Sequence, residues 1–146
     1  MSFPENYAQG IRWLIADRVD RKERHEHYAP LAAMEAARRG APMPSGTVFT
    51  LVRYAAERDD QGNPRRGPDG HFVKGALAGY GVMEKRTGWG SEYPESLRNG
   101  EWEYRVFTAQ KIPDASMSLT ACFGCHKAQA SNDYVQAYDK LKDTAR

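Results

Sequence analysis

The sequence predicts an α+β fold: mainly an antiparallel β-sheet, preceded by helices and followed by a helical segment near the C-terminus. Two segments carry this prediction. Residues 47–54, Thr-Val-Phe-Thr-Leu-Val-Arg-Tyr, are dense in β-branched and aromatic side chains. Residues 101–109 alternate polar with apolar, so Trp102, Tyr104 and Val106 share one face. A third observation removes the main competitor, a bundle of four long helices. Eight prolines and thirteen glycines interrupt the chain too often for it. Neither strand can bury its apolar face alone, so the two are expected to pair in one antiparallel sheet.

The elements follow in order. Residues 4–18 read as a helix, with Asn6 able to cap and Ile11, Leu14, Ile15 and Val19 at helical spacing. Residues 20–30 are highly polar and end at Pro30. Residues 31–39 form a second, Ala-rich helix, stopped by Gly40, Pro42 and Pro44. The strand at 47–54 comes next, then a turn-rich loop over 59–70. Residues 71–85 read as another strand, where Gly75, Gly79 and Gly81 mark bulges or close approaches. Arg98-Asn99-Gly100 is a turn before the strand at 101–109, and Pro113 breaks the chain again. Ser131 is expected to cap a terminal helix carrying Tyr134, Val135, Tyr138 and Leu141. No internal repeat is present.

The 146 residues suggest a single domain, 1–146. Hydrophobic content of 40% and charged content of 27% are those of an ordinary globular protein. No apolar run approaches a membrane span. The net charge of +2, with basic residues scattered rather than striped, argues against a nucleic-acid surface. Arg21-Lys22-Glu23-Arg24 is a mixed-sign run that reads as solvated.

Chemistry concentrates at Cys122-Phe123-Gly124-Cys125-His126, a C-x-x-C-H pentapeptide. This is the attachment signature of a c-type haem. Two thiols at this spacing bond to the two vinyl groups of one porphyrin, and the adjacent imidazole becomes an axial iron ligand. His126 is therefore the expected metal ligand. The motif uses both cysteines of the chain. A thioredoxin-like motif would need a βαβ context, and a structural zinc site a fourth ligand. A disulfide over two intervening residues would be strained and would leave His126 without a role. No signal peptide is visible. Haem attachment of this kind takes place outside the bacterial inner membrane, so the expectation is a periplasmic protein whose export segment has been replaced by an initiator methionine.

Further residues support a family. Phe3-Pro4-Glu5-Asn6-Tyr7, Tyr28-Ala29-Pro30 and Gly40-Ala41-Pro42-Met43-Pro44-Ser45-Gly46-Thr47-Val48 occur in order, followed by Cys122 to His126 and Asp133-Tyr134-Val135. With these the chain resembles the cytochrome P-460 family, which includes the cytochromes c′-β. The resemblance implies a mainly antiparallel β fold, a homodimer, and a haem on a proximal His with an open sixth position. Members that oxidise hydroxylamine carry a lysine on the strand after the Gly-Thr-Val segment, cross-linked to the porphyrin. That position is Leu51 here. The departure points away from hydroxylamine oxidation and towards the gas-binding c′-β branch. Lys85 reads as a solvated strand-end residue.

A sixth protein ligand would have to be a distant Met or His. Met34, Met43, Met83 and Met117 read as core fillers. His25, His27 and His71 lie in polar stretches and are expected in solvent. Phe49, Leu51 and Arg53 share a strand face. If Leu51 faces the haem, Phe49 is its neighbour there and the distal wall is apolar, which suits NO and CO; the other reading of both residues is ordinary core. Arg53 could reach a propionate. Trp89, Trp102 and Tyr104 are haem-edge or interface aromatics. Three functions stay open: a five-coordinate haem protein binding small diatomics, an enzyme oxidising hydroxylamine or acting as a weak peroxidase, and a six-coordinate electron carrier with a redox partner.

Overall fold

The computed structural model describes residues 1–144. Five strands build one antiparallel sheet in chain order: β1 (Ile11–Arg18), β2 (Glu23–Ala29), β3 (Val48–Ala56), β4 (Lys74–Lys85) and β5 (Trp102–Thr108). Three helices accompany it: α1 (Leu31–Arg38), α2 (Leu119–Lys127) and α3 (Tyr138–Thr144). The α+β expectation holds. The strands expected at 47–54 and 101–109 do lie in one sheet, but β4 separates them, pairing with β3 on one side and β5 on the other.

The first expected helix is a strand. After a short 3₁₀ turn at Tyr7–Gln9, residues from Ile11 pair with β2. The register slips between Arg12 and Leu14. This bulge breaks the period of two and turns Trp13 and Leu14 both towards the core. Two adjacent inward residues, followed by more apolar ones, imitate helical spacing. The polar stretch before Pro30 is likewise a strand. Its charges are matched in place: Glu26 is fully buried and accepts from Arg24 at 2.9 Å, Lys74 at 3.0 Å and Arg12 at 3.4 Å. A strand that satisfies its charges laterally needs little apolar content.

Strand alternation gives the sheet two faces. On one, the register sets His27, Leu51, Gly81 and Val106 in a row across β2 to β5. Phe49, Met83 and Tyr104 flank this row on one side, and His25, Arg53 and Gly79 on the other. The opposite face buries Val52, Tyr80, Val82 and Phe107 beneath Phe3 and Tyr7. Gly79 cannot be replaced easily: its φ is +150° and a Cβ would lie 2.6 Å from the Phe107 carbonyl oxygen. A register shift follows next to it, as the glycine pattern predicts.

Helix α1 matches its expected span. Ala33, Met34, Ala36 and Ala37 form its buried side. Gly40, at φ +66°, ends it by letting the Ala41 amide return to the Ala36 carbonyl at 2.9 Å. Against α1 lies α3, where Leu141 is buried and the Tyr138 hydroxyl donates to the Ala37 carbonyl at 3.1 Å. The terminal helix expected from Ser131 does not form as one piece. Ser131 lies inside a 3₁₀ turn (Ala130–Asn132), and Asp133 and Tyr134 adopt left-handed φ of 50° and 64° before α3 begins. Side-chain and backbone bonds described below hold this reversal.

Candidate functional site

Helix α2 sets Cys122, Cys125 and His126 three and four residues apart, which places them on one helix face. Phe123 points the other way and is buried. Its ring packs on Tyr93 at 4.8 Å and Tyr104 at 4.7 Å. Asn99, fully buried in the turn before β5, donates through Nδ2 to the Phe123 carbonyl at 2.8 Å and the Tyr104 hydroxyl at 3.2 Å. The motif's non-reactive residue thus anchors the helix and leaves its reactive face open.

His126 is oriented from outside the helix. Its Nδ1 lies 2.7 Å from the Tyr134 carbonyl oxygen, so Nδ1–H donates and Nε2 carries the lone pair. Burial pushes its pKa below the usual histidine value, against the opposing pull of that hydrogen bond. The imidazole is therefore neutral near pH 7. Tyr104 packs beside it with ring centroids 4.9 Å apart. The reversed turn that aims the Tyr134 carbonyl is pinned by Asp133. Asp133 Oδ2 accepts from the Met43 amide at 2.8 Å and Lys85 Nζ at 2.7 Å, and Oδ1 from Trp102 Nε1 at 3.2 Å. Lys85 is consequently a largely buried partner, not the solvated strand end expected.

The motif opens on a cavity of about 550 Å³, lined by α2 and by the sheet face. Such a volume falls within the range of cofactor sites. All six residues singled out from the sequence line it: Phe49, Leu51, Arg53, Cys122, Cys125 and His126. Met83 and Met117 line it too, whereas Met34 and Met43 belong to the core. Trp102 lies behind Phe49 in the core, and Trp89 lies under Arg86 in a separate turn. His25 and His27 line the cavity instead of facing solvent, because their segment is a strand. His25 bonds Glu23 at 2.9 Å, and His71 bonds Asp17 at 3.2 Å.

The sequence reading weighed His27 as a sixth ligand but expected it in solvent, and it gave no role in the site to Asn99, Asp133 or the Tyr134 carbonyl. For His27 the signal was present: Glu23 to Ala29 alternates once its charges are paired. For the Tyr134 carbonyl no side-chain pattern exists, because the acting group is backbone.

The lining residues fit a tetrapyrrole with acidic side arms. Cys122 and Cys125 are both free thiols, and burial raises the Cys122 pKa. Arg53 Nε is buried without a hydrogen-bond partner, and Arg18 and Arg21 lie on the same cavity. An orphaned guanidinium nitrogen in a cavity is a group waiting for an anion. Among the described residues no three His, Cys, Asp or Glu side chains cluster to hold a bare ion. The family model described as Cytochrome P460 matches residues 4–137 of the chain. No curated protein matches it.

Proposed function

The chain belongs to the cytochrome P460 family, and on that premise we propose that it is a monohaem c-type cytochrome whose iron, held by His126, keeps its sixth position open for a small diatomic such as NO or CO. The observation that carries this reading is the pairing of His126 Nδ1 with the Tyr134 carbonyl on a helix whose two thiols face the same cavity. That bond fixes the tautomer with Nε2 basic and unprotonated.

Each cysteine would add its S–H across one vinyl group, forming a C–S bond while the proton goes to the other vinyl carbon. Iron, when bound, supplies the coordination site for the diatomic. Phe49 and Leu51 exclude water from the sheet side of the cavity. Arg53, with its unpaired Nε, takes a propionate, and Arg18 and Arg21 add positive charge at the same end. Oxidation of hydroxylamine is the alternative. No lysine lines the cavity among the described residues; Lys74 pairs with Glu26 on the far face and Lys85 with Asp133. This favours the binding protein over the lysine-cross-linked enzyme. Met83 is packed in the core cluster, so a six-coordinate carrier would have to take its second ligand from Met117, His25 or His27, which also line the cavity.

The remaining features belong to the same reading. A homodimer is supported by the aromatic far face of the sheet, where half-buried Tyr28 and Tyr54 extend the buried cluster. Among the described residues no helix is long and apolar enough to cross a membrane. A periplasmic location follows from the attachment chemistry, and a redox partner would return the iron to its ferrous state. The test is expression with c-type maturation. The mass should exceed that of the polypeptide by one haem, and the ferrous spectrum should be high-spin. A low-spin ferrous spectrum, or rapid hydroxylamine turnover, overturns the proposal.

A further inference from the structure

Three of the four histidines have a ring nitrogen bonded within the protein: His25 to Glu23, His71 to Asp17 and His126 to Tyr134. His27 alone has no hydrogen-bond partner among the described residues. Its register neighbours are Leu14 on β1 and Leu51 on β3, and its ring meets the Trp13 ring edge at 5.6 Å. None of these contacts offers it an acceptor. His27 is half-buried on the cavity, so a ring N–H with no protein acceptor is left to whatever occupies that space. Desolvation drops its pKa to about 4, with smaller contributions from His25 and then His126. The ring is therefore neutral, with one N–H to donate. His27 and His126 line the same cavity.

We propose that His27 is the distal hydrogen-bonding residue of this site, donating to the outer atom of a diatomic held at the sixth position. The proposal rests on the haem reading above. It alters the distal wall in one respect: directly opposite the apolar Leu51 stands a neutral polar ring, with Arg53 and His25 flanking the row. Gly81, on the other side of Leu51, contributes no side chain to that row. The site is thereby biased towards ligands whose outer atom carries negative charge.

The test uses the full haem-loaded chain as isolated, with His27→Leu and His27→Gln, both checked for haem content and circular dichroism. Carbon monoxide on the ferrous protein is the probe, and its C–O stretching band is the readout. A hydrogen bond to the outer oxygen lowers that band. The band should move to higher wavenumber in His27→Leu and return part of the way in His27→Gln, whose amide can donate. NO dissociation should quicken roughly 2- to 12-fold in His27→Leu, the value of one ordinary hydrogen bond. A high-spin protein whose C–O band is the same in all three forms overturns the assignment of His27 and leaves the haem reading standing. A low-spin protein that becomes high-spin in His27→Leu makes His27 an iron ligand and overturns both. A chain that acquires no covalent haem also overturns both.

Discussion

His126 Nδ1 and the Tyr134 carbonyl oxygen lie 2.7 Å apart, across a turn whose residues carry left-handed φ. The non-glycine residues Asp133 and Tyr134 pay a conformational cost there. What sustains it is the set of bonds Asp133 makes to the Met43 amide, Lys85 and Trp102. One carboxylate thus ties the sheet and the segment after α1 to the turn whose next residue, Tyr134, holds the His126 imidazole. The orientation of the ligand is a tertiary property, not a property of the pentapeptide.

Asp133→Ala should therefore do two things. It removes three hydrogen bonds and strands Lys85 in a largely buried position, so urea unfolding should show a loss of about 2–4 kcal/mol. In the haem-loaded protein the iron–histidine stretching frequency should also shift, because the Tyr134 carbonyl is no longer held. An unchanged frequency would mean that the turn keeps its shape without the carboxylate.

Either Cys122→Ala or Cys125→Ala should leave haem on one thioether, with the mass still one haem above the polypeptide. The double variant should release all its haem to acid–acetone. Retention of haem after that wash would point to a covalent link elsewhere in the chain.

The site was legible in the sequence where its chemistry depends on spacing along one regular element. Cys122, Cys125 and His126 share a helix face, and Phe49, Leu51 and Arg53 a strand face, by period alone. It was illegible where a local irregularity or a distant partner decides. The bulge after Arg12 turned strand alternation into apparent helical spacing. Glu26 helped hide β2 inside a merely polar stretch, because its three cations come from residues 12, 24 and 74. With β2 misread, His27 could not be placed opposite Leu51. The Tyr134 carbonyl leaves no trace in residue types at all.

Glu103 gives a pH dependence. Burial, reinforced by a hydrogen bond and charge from Glu92, raises its pKa to about 7 from an ordinary 4.5. Its neighbour across the ladder is Glu84, itself engaged by Arg86. Between these two pH values the folded chain holds a proton that the unfolded chain has released. Stability must then fall as pH rises through that window. Glu103→Gln removes the effect, so the melting temperature of the variant should gain on that of the unmodified protein from pH 5 to pH 8. A constant difference across that range would show that Glu103 titrates normally.

Ligand access is expected to depend on Leu51. It stands between His27 and Gly81 in the row that crosses the cavity. A Cβ on Gly81 would already come within 3.5 Å of Leu51 Cδ2, so the leucine leans over the space the glycine leaves. Trimming it to alanine removes the apolar cover without touching His27 or the thiols. Because Leu51 is only half-buried, Leu51→Ala should cost less than the ~2–5 kcal/mol of a fully buried leucine. The association rate of CO with the ferrous protein should rise, since the path past β3 widens. Stopped-flow mixing measures that rate directly. If it does not change, ligands reach the iron by a route that avoids this strand, and Leu51 is core packing rather than a gate.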